Sequence, residues 1–248
     1  MTTVAVLADP PVEGVVCRDL IESTPLHAAD GVRLYEAMLT DVCRAVEGSG
    51  AQLLLNYRPR EHLDLPESVS PKTRLEGVVS EAVDAPEAVR YEVQVGSTFA
   101  ARAGNTVTHL LEQEGEGSVH VLEPTVPLVS RQAIDSASMK LRRSSVVVSP
   151  ASGGRVGYAG FAETIDFDGA YDAPAIESLV DSAIDAGVHA DFLPGLQPVR
   201  TPADLATVVP EVRARERAGR IYPSATADAI ERLGLRVAED ESVTVSRS

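Results

Sequence analysis

The sequence predicts an α/β fold with three layers, α/β/α, built around a mixed and mostly parallel sheet. Short apolar segments alternate along the chain with amphipathic ones, which is the order expected when helices connect neighbouring strands. The apolar segments consist mainly of Val, Leu, Ile and Ala, as in strands that are buried on both faces. The 248 residues are 44% hydrophobic but only 4% aromatic, and none is tryptophan, so we expect a core of small aliphatic side chains.

The predicted strands are short apolar runs that end at Gly, Pro or polar residues. The first run, TTVAVLA, stops at Asp9-Pro10-Pro11 and therefore leads into a loop. The predicted strands are residues 2–8, 51–57, 89–95, 119–122, 145–149, 157–161 and 188–193, followed by a weakly alternating tail at 235–246.

The predicted helices carry apolar residues spaced at three and four positions. The clearest is 31–46, where Asp30 is placed to cap the first turn. Thr201 followed by Pro202 is typical of a helix start, and Gly187 marks a helix end. The other predicted helices are a short one near 75–83 and residues 98–113, 131–141, 174–186, 202–217 and 224–233.

The chain contains no internal repeat and no linker rich in Gly or Ser. The least regular section is 58–86, which is polar and contains proline. We expect residues 1–206 to form the α/β domain. Residues 207–248 are predicted to add C-terminal helices and a hairpin or edge strand that pack on the same domain.

The charge of the protein is strongly acidic, with 37 acidic and 22 basic residues and a formal net charge of −15. Such a field repels a phosphate backbone, so we expect no nucleic-acid partner. Lysine occurs only at Lys72 and Lys140, and arginine supplies the other basic residues. Acidity with scarce lysine favours a protein from a high-salt cytoplasm, where carboxylates keep the surface hydrated. An ordinary acidic protein from a GC-rich genome is the alternative.

The expected compartment is the cytoplasm. The start, MTTVAVLADPP, has no basic segment and reads as a first strand instead of a signal peptide. No apolar run approaches the roughly 20 residues of a membrane helix. Cys17 and Cys43 have neither the spacing of a metal site nor that of a redox motif.

The candidate site lies in the loops that follow the strands, because α/β sheets bind ligands at the carboxyl ends of their strands. Arg18 in the first loop is suited to pair with phosphate, although Asp19 beside it opposes an anion, and such Pro/Gly loops are more often plain turns. Arg102 follows a helix start that can hold an anion. The alternative is Ser97 as a helix cap with Arg102 on a solvated face.

Two later loops are equally ambiguous when taken alone. Gly153-Gly154 lets the backbone approach a ligand closely, but paired glycines also turn hairpins. Arg200 precedes the helix cap Thr201 and fits either a structural or a binding role. The histidines do not cluster, and neither a phosphate-binding P-loop nor a G-x-S-x-G nucleophile motif is present.

Taken together, the loops and one helix carry six motifs in a recognisable order. They are PVEGVVCRDL at 11–20, LYEAMLTD at 34–41, QVGSTFAAR at 94–102, VLEPTVP at 121–127, SPASGGR at 149–155 and LPGLQPVRTPADL at 193–205. Over roughly residues 3–206 this order resembles a prokaryotic family of GT-A-like glycosyltransferases and domains of unknown function, distantly similar to 2-phospho-L-lactate guanylyltransferase. The chain is identified as a divergent, haloarchaeal member, and the resemblance implies a GT-A fold of the nucleotide-diphospho-sugar-transferase type.

The motifs depart from the family pattern mainly at chemically active positions. Cys17 stands where the family has lysine, and the family's aspartates are replaced by Leu122, Ser152, Pro198 and Arg200. The resemblance implies carboxylates that hold Mg²⁺ or Mn²⁺ against a diphosphate. Here those ligands are replaced.

Glu123 is the acid that remains beside the replaced strand-end aspartate, Leu122. Because successive side chains of a strand alternate, Glu123 is predicted to point to the opposite face from Leu122. Arg200 would repel a metal but can pair directly with phosphate.

Two functions follow from this pattern. The first is a nucleotide-sugar glycosyltransferase or nucleotidyltransferase, with Glu123 as the catalytic acid or base and arginines that partly replace the metal's charge. The second is a catalytically inactive descendant that serves as a binding or assembly module. The resemblance implies a nucleotide or nucleotide sugar as partner. The predicted substrate-binding residues are Pro11, Gly14, Arg18, Gln94, Gly96, Arg102, Thr125, Gly153, Gly154 and Arg200.

Overall fold

The computed structural model describes residues 1–246 and contains one main sheet and one small hairpin. The strands of the main sheet are β1 (Thr2–Ala8), β2 (Gln52–Tyr57), β3 (Arg90–Val93), β4 (Ser118–Leu122), β5 (Val146–Ala151), β6 (Arg155–Phe161) and β7 (Ala190–Phe192). The hairpin consists of β8 (Leu235–Val237) and β9 (Val243–Val245).

The helices alternate with these strands as the periodicity predicts. They are α1 (Arg18–Ser23), α2 (Ala28–Ser49), α3 (Pro71–Ala82), α4 (Phe99–Thr108), α5 (Arg131–Lys140), α6 (Ala175–Asp185), α7 (Pro202–Arg217) and α8 (Ser224–Arg232). A π-helical turn, His109–Gln113, continues α4. None of the helices in residues 1–246 is long and apolar enough to cross a membrane.

The main sheet is mixed and mostly parallel, with the strand order β3-β2-β1-β4-β6-β5-β7. Only β6 runs antiparallel to its neighbours, β4 and β5. Gly153 and Gly154, with φ of 68° and 70°, form the tight turn after β5. After this turn the chain returns as β6, directly alongside β5. A tight turn can join only antiparallel strands. The predicted fold class is therefore confirmed.

Alternate residues of β1 face the two helical layers. Val4 and Val6 belong to a buried cluster with α2, α3 and α5, whereas Ala5 and Leu7 belong to one with α4 and α6. This alternation is the period of two that strand geometry imposes.

Helix α2 is buried on two sides. Tyr35 and Leu39 pack toward the sheet, and Leu34 and Met38 join a third buried cluster with α7, α8 and the hairpin. The C-terminal elements therefore pack on the face of α2 that points away from the sheet.

The start of helix α2 differs from the prediction. It begins one turn earlier than its apolar spacing indicates, so the N-cap is His27 and not Asp30. Asp30 lies inside the first turn, where its carboxylate accepts a hydrogen bond from the His27 backbone N–H at 3.2 Å. The sequence pattern also missed α1, a short helix within the first loop.

Candidate functional site

A cavity of about 330 Å³ opens at the carboxyl edge of the sheet. Its walls come from the segments that follow β1, β3 and β4 and from the segment that enters α7. The cavity thus lies at the strand ends, where the sequence analysis places the candidate site. The predicted residues that line it are Arg18, Gln94, Arg102, Glu123, Thr125 and Arg200.

Glu123 and Arg200 form an ion pair in this cavity. Arg200 Nε donates to Glu123 Oε2 at 2.8 Å, and Arg200 Nη2 lies 2.5 Å from Oε1 without the alignment of a hydrogen bond. The Glu123 side chain is 8% exposed, while that of Arg200 is 42% exposed. Burial raises the pKa of Glu123, although the charge of Arg200 acts in the opposite direction.

Leu122 and Glu123 occupy different environments. Leu122 is fully buried in the cluster beneath α2 and α5, whereas Glu123 lines the cavity. The backbone N–H of Glu123 donates to the Gly157 carbonyl, which extends the ladder by one residue and fixes this orientation. The cavity-facing position at this strand end is therefore Glu123, and not the position where the family pattern places its aspartate.

Asp204 is buried and fixes the loop that carries Arg200. Its carboxylate accepts hydrogen bonds from the backbone N–H groups of Arg200 and Thr201 at 3.0 and 2.8 Å, and from Gln197 Nε2 at 2.7 Å. Arg155 donates to both of its oxygens. Burial alone would raise the pKa of Asp204, but these donors, Arg155 first among them, outweigh it and lower the pKa to about 2.

Arg102 is a cavity cation with no ion-pair partner in residues 1–246. Its Nη1 donates to the Ser97 carbonyl at 3.2 Å, and its guanidinium lies 6.0 Å from the ring centroid of Phe99. Its Nε is buried and makes no hydrogen bond within the described chain. Desolvation lowers the pKa of Arg102, and the nearby charge of Arg58 lowers it further. An anion at this position would relieve both effects.

Two more groups, one in the cavity wall and one packed against the wall residue Phe99, leave polar atoms without a partner in the described residues. Thr125 Oγ1 is buried and unpaired, as is the hydroxyl of Tyr171, whose ring packs edge-on against Phe99 at 4.9 Å. Burial, and then the charge of Glu123, raise the pKa of Tyr171. Buried polar atoms of this kind are normally satisfied by water or ligand.

The first loop contributes Asp9 and Arg18. Arg58 binds Asp9 through two hydrogen bonds, and the hydroxyl of buried Tyr35 bridges the N–H and carbonyl of Asp9 at 3.0 and 2.9 Å. Arg18 is exposed and donates to the Gly14 carbonyl. Because Cys17 before it adopts a left-handed conformation with φ of 54°, the chain turns sharply into α1 there.

Several predicted site residues have structural roles. Gln94 lines the cavity but is buried, and its Nε2 donates to the Asn56 carbonyl at 2.6 Å. Pro11 is buried and Gly14, with φ of 74°, is exposed; both shape the first loop outside the cavity wall.

The glycine pair after β5 lies outside the cavity. Gly153 and Gly154 form the turn into β6, and a Cβ on Gly154 would come within 2.7 Å of Pro174. The left-handed conformation and this close contact explain why glycines stand here, and the pair does not line the cavity.

The cavity carboxylates do not fit a divalent cation. Of the three carboxylates that line the cavity, Asp9 is held by Arg58 and Glu123 by Arg200, so a metal would have to displace a guanidinium from each. The third, Asp19, is exposed and offers a single carboxylate, where a divalent cation needs several oxygen ligands. Within residues 1–246, one group of potential metal ligands lies together, Glu92, His109 and Glu114, and it is at the β3 edge of the sheet. Arg90 already binds both of its carboxylates.

Sequence reasoning missed the groups that hold the cavity residues in place. No sequence motif pointed to a role for Asp9, Tyr35 or Tyr171. Asp204 appeared only as one residue of the motif LPGLQPVRTPADL, without a role of its own. The N-terminal capping pattern T-P-A-D of α7 was a usable signal for Asp204, because an acid three residues after the N-cap commonly reaches back to the cap's N–H.

Comparison with known proteins identifies the fold. No family model and no curated protein matches this sequence. Among solved structures, the "putative nucleotide-diphospho-sugar transferase" from Desulfovibrio desulfuricans G20 aligns with a TM-score of 0.75 at 17% identity, over 93% of this chain and 95% of that one. The 4-diphosphocytidyl-2C-methyl-D-erythritol synthase of Anaerococcus prevotii DSM 20548 aligns with a TM-score of 0.52 at 11% identity, over 86% and 98%. This chain has the nucleotide-diphospho-sugar transferase fold.

Proposed function

We propose that the strand-end cavity binds a nucleotide or nucleotide sugar and that the protein is a transferase of the nucleotide-sugar or nucleotidyl type. The observation that carries the proposal is Arg102, a cavity guanidinium with a buried Nε and no acidic partner in residues 1–246. Guanidinium groups bind phosphate oxygens through paired hydrogen bonds. The phosphates would lie against Arg102, with Arg18 and Arg200 at the rim.

The arginines would supply the positive charge that a bound metal ion supplies in the family that the sequence resembles. A transferring or leaving phosphate needs its charge offset, and a fixed guanidinium does this without a cation. Because two of the three cavity carboxylates, Asp9 and Glu123, are already held by arginine, we propose binding that does not depend on Mg²⁺ or Mn²⁺.

Glu123 would act as the base once the ligand has bound. A phosphate competes for Arg200, whose side chain is exposed enough to turn toward it. Released from Arg200, the buried carboxylate is a stronger base. It takes the proton of an acceptor hydroxyl while the acceptor oxygen bonds to the sugar C1 or the α-phosphorus. The nucleoside diphosphate or pyrophosphate leaves.

A second function, a non-catalytic binding module, is favoured by the closed Glu123–Arg200 pair and by Leu122 at the family's aspartate position. A module of this kind would bind its ligand in the same cavity and through the same phosphate contacts, but it would not convert the ligand to product. The two functions therefore differ in product formation and not in binding.

Calorimetric titration with UDP, GDP and their sugar conjugates, with and without Mg²⁺, tests the binding step. We expect saturable binding that survives EDTA and weakens about tenfold in Arg102→Gln. Arg74→Gln, which changes an exposed arginine of α3 outside the cavity, is the matched control. Absence of binding at about 1 mM ligand rules out the proposal.

Product analysis separates the two functions. Incubation of the protein with candidate hydroxyl acceptors should release nucleoside diphosphate from nucleotide sugars or pyrophosphate from nucleoside triphosphates, and Glu123→Gln should abolish release while keeping affinity. Binding without any turnover would instead support the non-catalytic module.

A further inference from the structure

A second basic depression, of about 480 Å³, adjoins the strand-end cavity. It is lined by Arg58, His62, Gly96, Ser97 and Arg102 and contains no carboxylate in its lining. In a protein with a formal net charge of −15, this recess presents Arg102 without an ion-pair partner in the described residues, Arg58 paired with Asp9, and a histidine.

Arg102 belongs to the walls of both recesses. Arg58 lines the second recess, and its partner Asp9 lines the first. The partition between the recesses is therefore made of Arg102 and the Arg58–Asp9 pair. A guanidinium presents five N–H donors in one plane, so its two edges can serve two different anions.

Some N–H groups of the two arginines at this partition make no hydrogen bond within the described chain. Arg58 commits Nε and Nη2 to Asp9, and Arg102 commits Nη1 to the Ser97 carbonyl. Arg102 Nε is buried without a partner in the described chain. The two guanidinium groups are also near enough for the charge of Arg58 to lower the pKa of Arg102. Asp9, which is paired with Arg58, offsets part of this effect, and the unpaired Nε of Arg102 remains the donor that an anion would engage.

The loop that brings these groups together depends on Gly96. Its φ is +128°, and a Cβ there would lie 2.9 Å from the backbone of Ala101 and Arg102. The loop thus packs directly on the first turn of α4, which keeps Arg102 at the partition.

We infer that this second recess binds an anionic group of a second substrate, a phosphate monoester or a carboxylate, through Arg58, His62 and Arg102. The inference rests on the proposed function, because the first recess is taken to hold the nucleotide. The protein would then transfer a group from a nucleotide to an acidic acceptor, with Arg102 contacting both substrates and holding them side by side.

The test uses the full chain, with inorganic phosphate and acetate as probes, titrated calorimetrically at low ionic strength with and without a saturating nucleotide. We expect at least one probe to bind while the nucleotide is present. His62→Ala should weaken the probe about fivefold and Arg58→Gln about tenfold. His62 lines only the second recess, so His62→Ala should leave nucleotide affinity unchanged. Arg60→Ala, which removes a cation of the same turn outside both recesses, is the control.

The outcomes separate this inference from the proposed function. If a nucleotide binds but neither probe does, or if His62→Ala and Arg58→Gln bind the probe as the unaltered protein does, the second site is refuted and the nucleotide site stands. If a probe binds with the expected sensitivity to His62→Ala while no nucleotide binds, the second site stands and the nucleotide site is refuted. Whichever probe binds more tightly identifies the acidic group.

Discussion

Arg200 holds the buried carboxylate of Glu123 from 77 residues further along the chain, with its Nε 2.8 Å from Glu123 Oε2. The pair joins the end of β4 to the segment that enters α7. A second link is the hydrogen bond from the Val199 N–H to the Thr125 carbonyl at 2.7 Å. These contacts close one side of the cavity, and Asp204 holds the Arg200 backbone in place from behind.

Arg200→Gln should lower the free energy of unfolding by about 2 kcal/mol, because it leaves Glu123 buried without its cation. The expected loss is below that of a fully buried pair, since the Arg200 side chain is partly exposed. Urea unfolding at pH 7 measures it. The double variant Glu123→Gln/Arg200→Gln should recover part of the loss, and a double variant that is simply additive would show that the two residues are not coupled.

Asp204→Asn should cost about 2 to 4 kcal/mol, because an amide has one acceptor oxygen and no charge and so cannot accept all the hydrogen bonds that Arg155 and two backbone N–H groups donate. The folded pKa is about 2, below the ordinary 3.8, so the stabilisation is present above pH 3.8 and lost as pH falls toward 2. Urea unfolding between pH 2 and 5 should show a slope that the variant lacks. Asp228→Asn, at an exposed position of α8, is the control; an equal effect there would contradict the role assigned to Asp204.

His120 should make the fold sensitive to mild acid. It is fully buried, its Nδ1 lies 2.6 Å from the Tyr158 hydroxyl, and burial lowers its pKa from 6.5 to about 4. The unfolded chain therefore binds a proton first. Stability is complete above pH 6.5 and falls by up to about 3 kcal/mol as pH drops toward 4.

Unfolding curves of His120→Gln across this range test the assignment. The variant is less stable at pH 7 but should lose less on acidification than the unaltered protein does. His189→Gln, at an exposed position, should keep the full slope. A slope that survives in His120→Gln would assign the acid sensitivity to another group.

Added salt should raise the melting temperature by several degrees. The formal net charge of −15 on one compact chain is self-repulsive, and the Debye length shrinks from about 30 Å at 0.01 M salt to about 3 Å at 1 M. Thermal melts at about 0.05, 0.5 and 2 M KCl measure the effect. A flat or falling series would mean that the acidic groups are locally paired, and it would remove the support for a high-salt origin.

Local sequence patterns were sufficient to predict the strands of the main sheet. Val4, Val6, Ala5 and Leu7 face alternate sides because successive side chains of a strand do so, and all four are apolar because the sheet is covered on both faces. The Thr201 cap was equally readable, since its hydroxyl accepts the Asp204 N–H three residues later. Helix starts were less certain, as α2 shows, because the first turn of a helix need not contribute to its apolar face.

The sequence by itself determined the α/β architecture, the acidic surface and the edge of the sheet where a ligand would bind. Each of these follows from composition or from a period of a few residues. Only the tertiary structure decided that Glu123 faces the cavity, that Arg200 neutralises it, and that Arg102 is left without an acidic partner in the described chain. The reason is physical: burial and ion pairing depend on groups brought together by strand register and loop packing across long sequence separations, which no local pattern encodes.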